Sequence, residues 1–173
     1  MGLQDKISPA LAPGLPEALD AAGIAFEIGP DGIHCSDAQA DKLASIVASY
    51  TDADALKHVL DTRLAELADI RWQHETSTFL VGGIPISADD RGKILITAAA
   101  DLARREEQKT FQFKADDGQF LTLDGAAIIA IYSAMASHVQ ACFSNEASLA
   151  SKLTAAVSID ELRSIDLTQG WPN

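Results

Sequence analysis

The chain has 173 residues, 47% of them hydrophobic and 22% charged, which is ordinary for a soluble globular fold of one domain or one domain plus an arm. Its net charge of −12 and pI near 4.5 set it against nucleic acid and anionic membranes, because phosphates would be repelled. The two cysteines, Cys35 and Cys142, are too few for a disulfide framework or a zinc site, so free thiols are expected. No signal peptide is expected, since Asp5 and Lys6 interrupt any apolar run at the start.

The first segment, Met1–Pro16, carries Pro9, Pro13 and Pro16 among Leu3, Ile7, Leu11 and Leu15. Closely spaced prolines forbid a long helix and favour an extended arm. Those four apolar side chains are candidate contacts with a partner chain or with a copy of the same chain. Residues 16–22 then read as a short helix stopped by Gly23. Ile24–Ile28 and Ile33–Cys35 form a hairpin around Gly29-Pro30-Asp31-Gly32. Ser36 caps a helix with Leu43, Ile46, Val47 and Tyr50 on one face. Thr51 and Asp54 stand at capping-box spacing before a longer helix running to about Gln73. Leu56, Leu60, Leu64, Leu67 and Ile70 recur along it at steps of three and four.

A second hairpin is expected from Phe79–Val81, Gly82-Gly83 and Ile84–Ile86. Gly-Gly supplies the positive φ of a two-residue turn, and Pro85 restricts its strand to an edge. Ser87 or Asp89 opens the next helix, which ends at the charged cluster Arg104–Lys109. Thr110–Ala115 and Gln119–Leu123 make a third hairpin around Asp116-Asp117-Gly118. Asp124 then caps a long helix to about Ala156. Its stretch Ala126–Phe143 is the most membrane-like of the chain. Ser133, Ser137, His138 and Gln140 give it a polar side, so it reads as a buried helix instead. Residues 158–162 look like a last short helix, and Gly170-Trp171-Pro172 closes the chain with a tryptophan suited to a groove.

The expected fold is therefore α+β and helix-rich: three β-hairpins packed with long α-helices. A mainly helical bundle with peripheral hairpins is the alternative. The expected division is an arm over 1–16, an N-terminal hairpin and helices over 17–66 forming a docking region, and a C-terminal domain over 67–173.

Candidate chemistry is sparse. His138 and Cys142 share one helix face, but they also belong to the apolar stripe Ile128, Ile131, Met135, His138, Cys142 and Leu149. A metal would need further ligands, and no paired His or Cys motif supplies them. His34 and Cys35 are adjacent in a strand and point to opposite faces, so they form no dyad. The pairs Asp52/Asp54, Asp89/Asp90 and Asp116/Asp117 fit helix starts and a turn. Gly82-Gly83 is no phosphate loop, because no Lys-Ser or Lys-Thr follows it. No catalytic, cofactor or metal residue is assigned, and an enzyme is not expected. Trp72, His74 and Trp171 join the arm residues as candidate partner contacts, with His74 also suited to a helix C-terminus.

One long stretch carries more information than any single motif. It runs through Ile70-Arg71-Trp72-Gln73-His74-Glu75, Phe79-Leu80-Val81-Gly82-Gly83-Ile84-Pro85-Ile86 and Asp89-Asp90-Arg91. It continues through Phe113-Lys114-Ala115-Asp116-Asp117-Gly118, Leu121-Thr122-Leu123-Asp124 and His138-Val139-Gln140-Ala141-Cys142-Phe143 to Gly170-Trp171-Pro172. That order, over about residues 67–172, resembles a C-terminal domain of unknown function found in small bacteriophage tail proteins. Many of these are described as tail-fibre or tail-fibre-assembly proteins. The resemblance implies a virion protein of the baseplate or tail-fibre apparatus, a structural adaptor without catalysis. A tail-fibre assembly chaperone that binds the fibre during assembly is the alternative. It implies other tail proteins as partners, with self-association possible. It places the chain in the virion tail, and in the host cytoplasm during assembly. The portion before Ile70 does not match the block.

Overall fold

The computed structural model describes residues 12–29, 32–106 and 108–172. Within them the fold is α+β and helix-rich, with six α-helices and three separate two-stranded antiparallel hairpins. The chain divides into two compact units. The first holds residues 1–65 and 153–165, and the second holds residues 66–152 and 166–173. The linear boundary expected at 66/67 thus misses one feature: residues 153–165 return to the first unit.

The first unit opens with α1 (Leu15–Ala21), which Gly23 ends with a φ of 71°. The hairpin β1 (Phe26–Gly29) and β2 (Gly32–Cys35) follows. The helix expected at Ser36 begins differently. Ser36 precedes a single 3-10 turn, Asp37–Gln39, and its hydroxyl makes no cap bond to the backbone; α2 (Ala40–Ser49) starts after it. Leu43 and Val47 of α2 are buried with Leu15, Leu19 and Ile24, and Ile46 and Tyr50 pack against that core. Leu15 is therefore a core residue of its own unit, not an arm residue free to meet a partner. Helix geometry at Pro16 explains this, since proline is well tolerated in the first turn. The Tyr50 hydroxyl donates to the Pro13 carbonyl at 2.6 Å and fixes the chain there. The rest of the proposed arm, including Leu3, Ile7 and Leu11, lies outside the described residues.

The helix α3 (Asp52–Glu75) starts on a complete capping box. The Thr51 amide donates to the Asp54 carboxylate at 2.8 Å, and the Asp54 amide donates back to the Thr51 hydroxyl at 3.3 Å. The Thr51 hydroxyl, donating to the Asp54 carboxylate at 2.6 Å, and then the Thr51 amide hold that carboxyl below its ordinary pKa. The expected leucine stripe is only partly right. Ala55, Val59 and Leu67 are the buried apolar positions, while Leu56, Leu60, Leu64 and Ile70 are half-buried. In the first unit the chain closes on α6 (Ile159–Ser164). Ser158 caps it by accepting from the Glu161 amide, and Leu162 is buried.

The second unit contains the other two hairpins. β3 (Thr78–Val81) and β4 (Ile84–Ser87) join at Gly82-Gly83, whose φ values of 58° and 85° only glycine adopts without strain. Pro85 pairs with Leu80, and its carbonyl accepts from the Asp116 amide at 3.0 Å. Asp89 caps α4 (Asp90–Arg105) through the Gly92 amide. β5 (Thr110–Lys114) and β6 (Phe120–Asp124) pair in register Gln112 to Thr122. Asp124 then caps α5 (Gly125–Ala155) by accepting from the Ala127 amide at 2.8 Å.

The core of this unit sits where α4 and α5 meet the hairpins. Phe79, Ile86, Ala88, Ile96, Ile131 and Met135 form one cluster, and Ala100, Ala103 and Ile128 another. All six stripe residues expected on α5, from Ile128 to Leu149, are buried. The helix is nonetheless buried along that stripe and not all round, since Ser133, Ser137 and Gln140 are exposed. By length and composition alone, α5 is the one described helix that could cross a membrane.

Candidate functional site

The last turns of α3 concentrate the polar and aromatic contacts of the second unit. Arg71 and Glu75, one turn apart, share a face of the helix, while Trp72 and His74 face other directions. Glu75 turns inward and is only 7% exposed. Its carboxylate accepts from Arg71, one turn back, and from the Lys93 ammonium of α4 at 2.6 Å. Burial alone would raise the Glu75 pKa. The hydrogen bonds and charges of Lys93 and Arg71 outweigh it and hold the carboxyl below its ordinary value. The Arg71 Nε also lies 3.4 Å from the Glu146 carboxylate of α5, within ion-pair reach but without hydrogen-bond geometry. One buried carboxylate thus ties α3 to α4, and its arginine partner ties α3 to α5.

The same cations serve the surface. Lys93 stands over the Trp72 ring at 5.7 Å, and the Arg71 guanidinium stands over the Phe143 ring at 4.8 Å. Trp72 is 47% exposed and Phe143 is 44% exposed. Two large aromatics are thereby held at the surface by cations whose charges are already balanced from below. Such pairs are worth about 0.5–1 kcal/mol at exposed sites, enough to bias the ring positions.

His74 faces the chain terminus. Its ring stacks on Trp171 with centroids 5.1 Å apart and planes 5° from parallel. The Trp171 indole donates to the Leu167 carbonyl at 2.8 Å, and the Asn145 amide donates to the Gln169 carbonyl at 2.9 Å. Gly170 has a φ of 84°, which favours glycine, and a Cβ there would lie 2.5 Å from Asn145 Oδ1, so that side chain would have to move. The backbone of His74 is engaged as well. Its carbonyl lies 2.9 Å from His138 Nε2. A carbonyl only accepts, so that nitrogen carries the proton. The His138 ring is 6% exposed and stacks on Phe79 at 4.8 Å.

His138 and Cys142 therefore lie on one buried face, as their spacing implies. The imidazole is occupied by packing and by the His74 carbonyl. Burial, with a further contribution from Glu75, raises the Cys142 pKa and keeps the sulfur as a thiol. A thiol reagent should modify half-buried Cys35 first and reach Cys142 only on unfolding; mass mapping of modified peptides against denaturant reads this directly. Among the described residues, no three His, Cys, Asp or Glu side chains gather as a metal could use.

Of the contacts expected from sequence, Trp72 is surface-held, while His74 and Trp171 form one stacked pair. The ion node of Glu75, Lys93 and Glu146 is absent from the sequence reading. Only the Arg71-to-Glu75 spacing of four signals any of it. Lys93 and Glu146 reach it from separate helices, which no local pattern reports.

The second unit is thus an arrangement of hairpins and helices whose buried ion node ties α3, α4 and α5 and whose surface carries cation-backed aromatics. The chain belongs to the family described as a domain of unknown function, DUF4376, which matches residues 58–169. The matched stretch begins inside α3 and takes in α6 as well as the Glu75 node. No curated protein and no solved structure matches the chain.

Proposed function

We propose that this protein is a structural component of a bacteriophage tail, a protein-binding adaptor in the baseplate or tail-fibre apparatus that catalyses nothing. The virus-tail part of the reading rests on the resemblance carried by residues 70–172. The observation that supports adaptor chemistry is the surface made by Trp72 and Phe143, each ordered by a cation from the Glu75 node. Exposed aromatics and arginine are the residues that dominate protein–protein binding energy. Rings already held in place lose less freedom on docking, so more of their burial appears as affinity. The net charge of −12 points to protein surfaces, and away from nucleic acid and anionic lipid. On this reading the protein occupies the virion tail, reached from the host cytoplasm during assembly.

Quantitative mass spectrometry of purified particles from the genome encoding this chain tests the proposal. A fixed copy number per tail is expected. Absence from particles, together with co-purification with unassembled fibre, would replace the adaptor with an assembly chaperone. Absence from both would remove the tail reading altogether.

A further inference from the structure

We infer that the segment 1–11 of a second copy adds as a strand to the open edge of β5, so that two copies exchange arms. The observation is a groove of about 300 Å³ in the second unit. One wall is β5, through Phe111, Gln112, Phe113 and Lys114. A groove against one face of a strand would be lined by alternate residues, because successive side chains point to opposite faces. This one is lined by successive residues, so it runs along the strand's edge. Among the described residues Thr110–Lys114 of β5 pair only with β6, and the outer edge meets β4 just beyond them, where the Asp116 amide donates to the Pro85 carbonyl. Leu95 of α4 stands across the groove, and Ile128 and Ile131 of α5 form its apolar floor. A strand edge beside an apolar trough is the receptor for an extended segment that alternates apolar and polar residues.

The segment before Ala12 has that alternation in its sequence. Leu3, Ile7, Pro9 and Leu11 fall on odd positions, and Gln4, Lys6 and Ser8 fall between them. In an added strand, alternate residues bond inward and the rest point their backbone outward. With the even set bonded to β5, Pro9 and its missing N–H face away from the ladder, where proline is tolerated. The one charge in the odd set is Asp5, and the one cation lining the groove is Lys114. The donor is a second copy because the apolar surface extends past the groove. Ile94 is 69% exposed on α4 and does not line the trough, so a strand lying there leaves it uncovered. The body of a second copy can cover it, and mutual exchange closes as a symmetric dimer.

The test uses the full chain in a Cys35→Ser background. One tagged version carries Lys6→Cys or Ser8→Cys, and a differently tagged version carries Gln112→Cys. These side chains lie on the solvent face of the proposed ladder, so the apolar contacts are untouched. After mixing and mild oxidation, a disulfide-linked species bearing both tags is expected. Light scattering should give a mass of two chains, and the pair Ile7→Asp and Leu11→Asp should weaken the dimer about tenfold or more while the far-UV circular dichroism of the folded chain stays unchanged. No disulfide between the two tagged versions in either pairing, or a monomeric mass, would each overturn the inference. Should the aspartate variants melt early, the cross-link between copies remains decisive.

Discussion

Replacing Glu75 with glutamine should lower the melting temperature by about 6–12 °C at neutral pH, from a loss of roughly 3 kcal/mol. The carboxylate is 7% exposed and is held by two cations. Glutamine fills the same space but leaves Arg71 and Lys93 without their shared countercharge. Breaking a buried pair costs more than the pair's net worth, because the remaining charges stay desolvated. Glu146 at 3.4 Å from Arg71, and Asp90 at 3.8 Å from Lys93, recover part of the loss and keep it near the lower end of that range.

The pH dependence follows from the direction of the shift. The folded pKa of Glu75 lies below its ordinary value of 4.5, so the unfolded chain takes up the proton first. The stabilisation is complete above the ordinary value and is lost as pH falls through the folded value. The difference in melting temperature between the native protein and Glu75→Gln should be constant above about pH 5.5 and shrink steadily below pH 4.5. Thermal melts read by circular dichroism from pH 3 to pH 7 measure it. A difference that stays the same throughout would show that shape, and not charge, holds this site together.

The fold was legible wherever a local rule acts alone. Thr51 with Asp54, Gly82-Gly83 and Asp124 each mark their element from a few adjacent residues, and each acts as its chemistry dictates. The α5 stripe was legible because one face meets one core over many turns. The α3 stripe was less so. Ala55 and Val59 are buried while Leu56 and Leu60, one position on, are half-buried, a rotation of the buried face that the spacing of the leucines alone does not show. The prolines around Leu15 suggest a continuous arm, although Pro16 suits the first turn of α1 and Leu15 starts that helix. The return of residues 153–165 to the first unit depends on contacts distant in sequence, and no pattern in α5 announces it.

The candidate site divides the same way. Trp72 and Trp171 drew notice as large aromatics in polar or turn-forming surroundings, where something must order them. The partners that order them were out of reach. Lys93 is on α4, Glu146 is on α5, and the His74 ring meets Trp171 from the far end of the chain. A residue's type can therefore suggest that it is held, while only the fold says by what.

Trp171→Ala should lower the melting temperature by about 4–8 °C, from a loss of roughly 2 kcal/mol for a half-buried indole with one hydrogen bond and one stacked ring. The stacking contribution can be isolated. His74→Ala removes the same ring pair from the other side, so the two substitutions together should cost less than their sum by about 0.5–1.5 kcal/mol. Fluorescence gives an independent reading, because the chain has two tryptophans in different settings. With Trp72→Phe the remaining Trp171 should emit at shorter wavelength and resist acrylamide quenching. With Trp171→Phe the remaining Trp72, 47% exposed, should emit further to the red and quench readily. Additive energies, or a Trp171 emission matching free indole, would mean that the terminus is not latched. A latched terminus has a consequence for docking, since Trp171 holds His74 two residues from Trp72. Releasing it should loosen the end of α3 and weaken any partner bound there, even though Trp171 itself would touch nothing but its own chain.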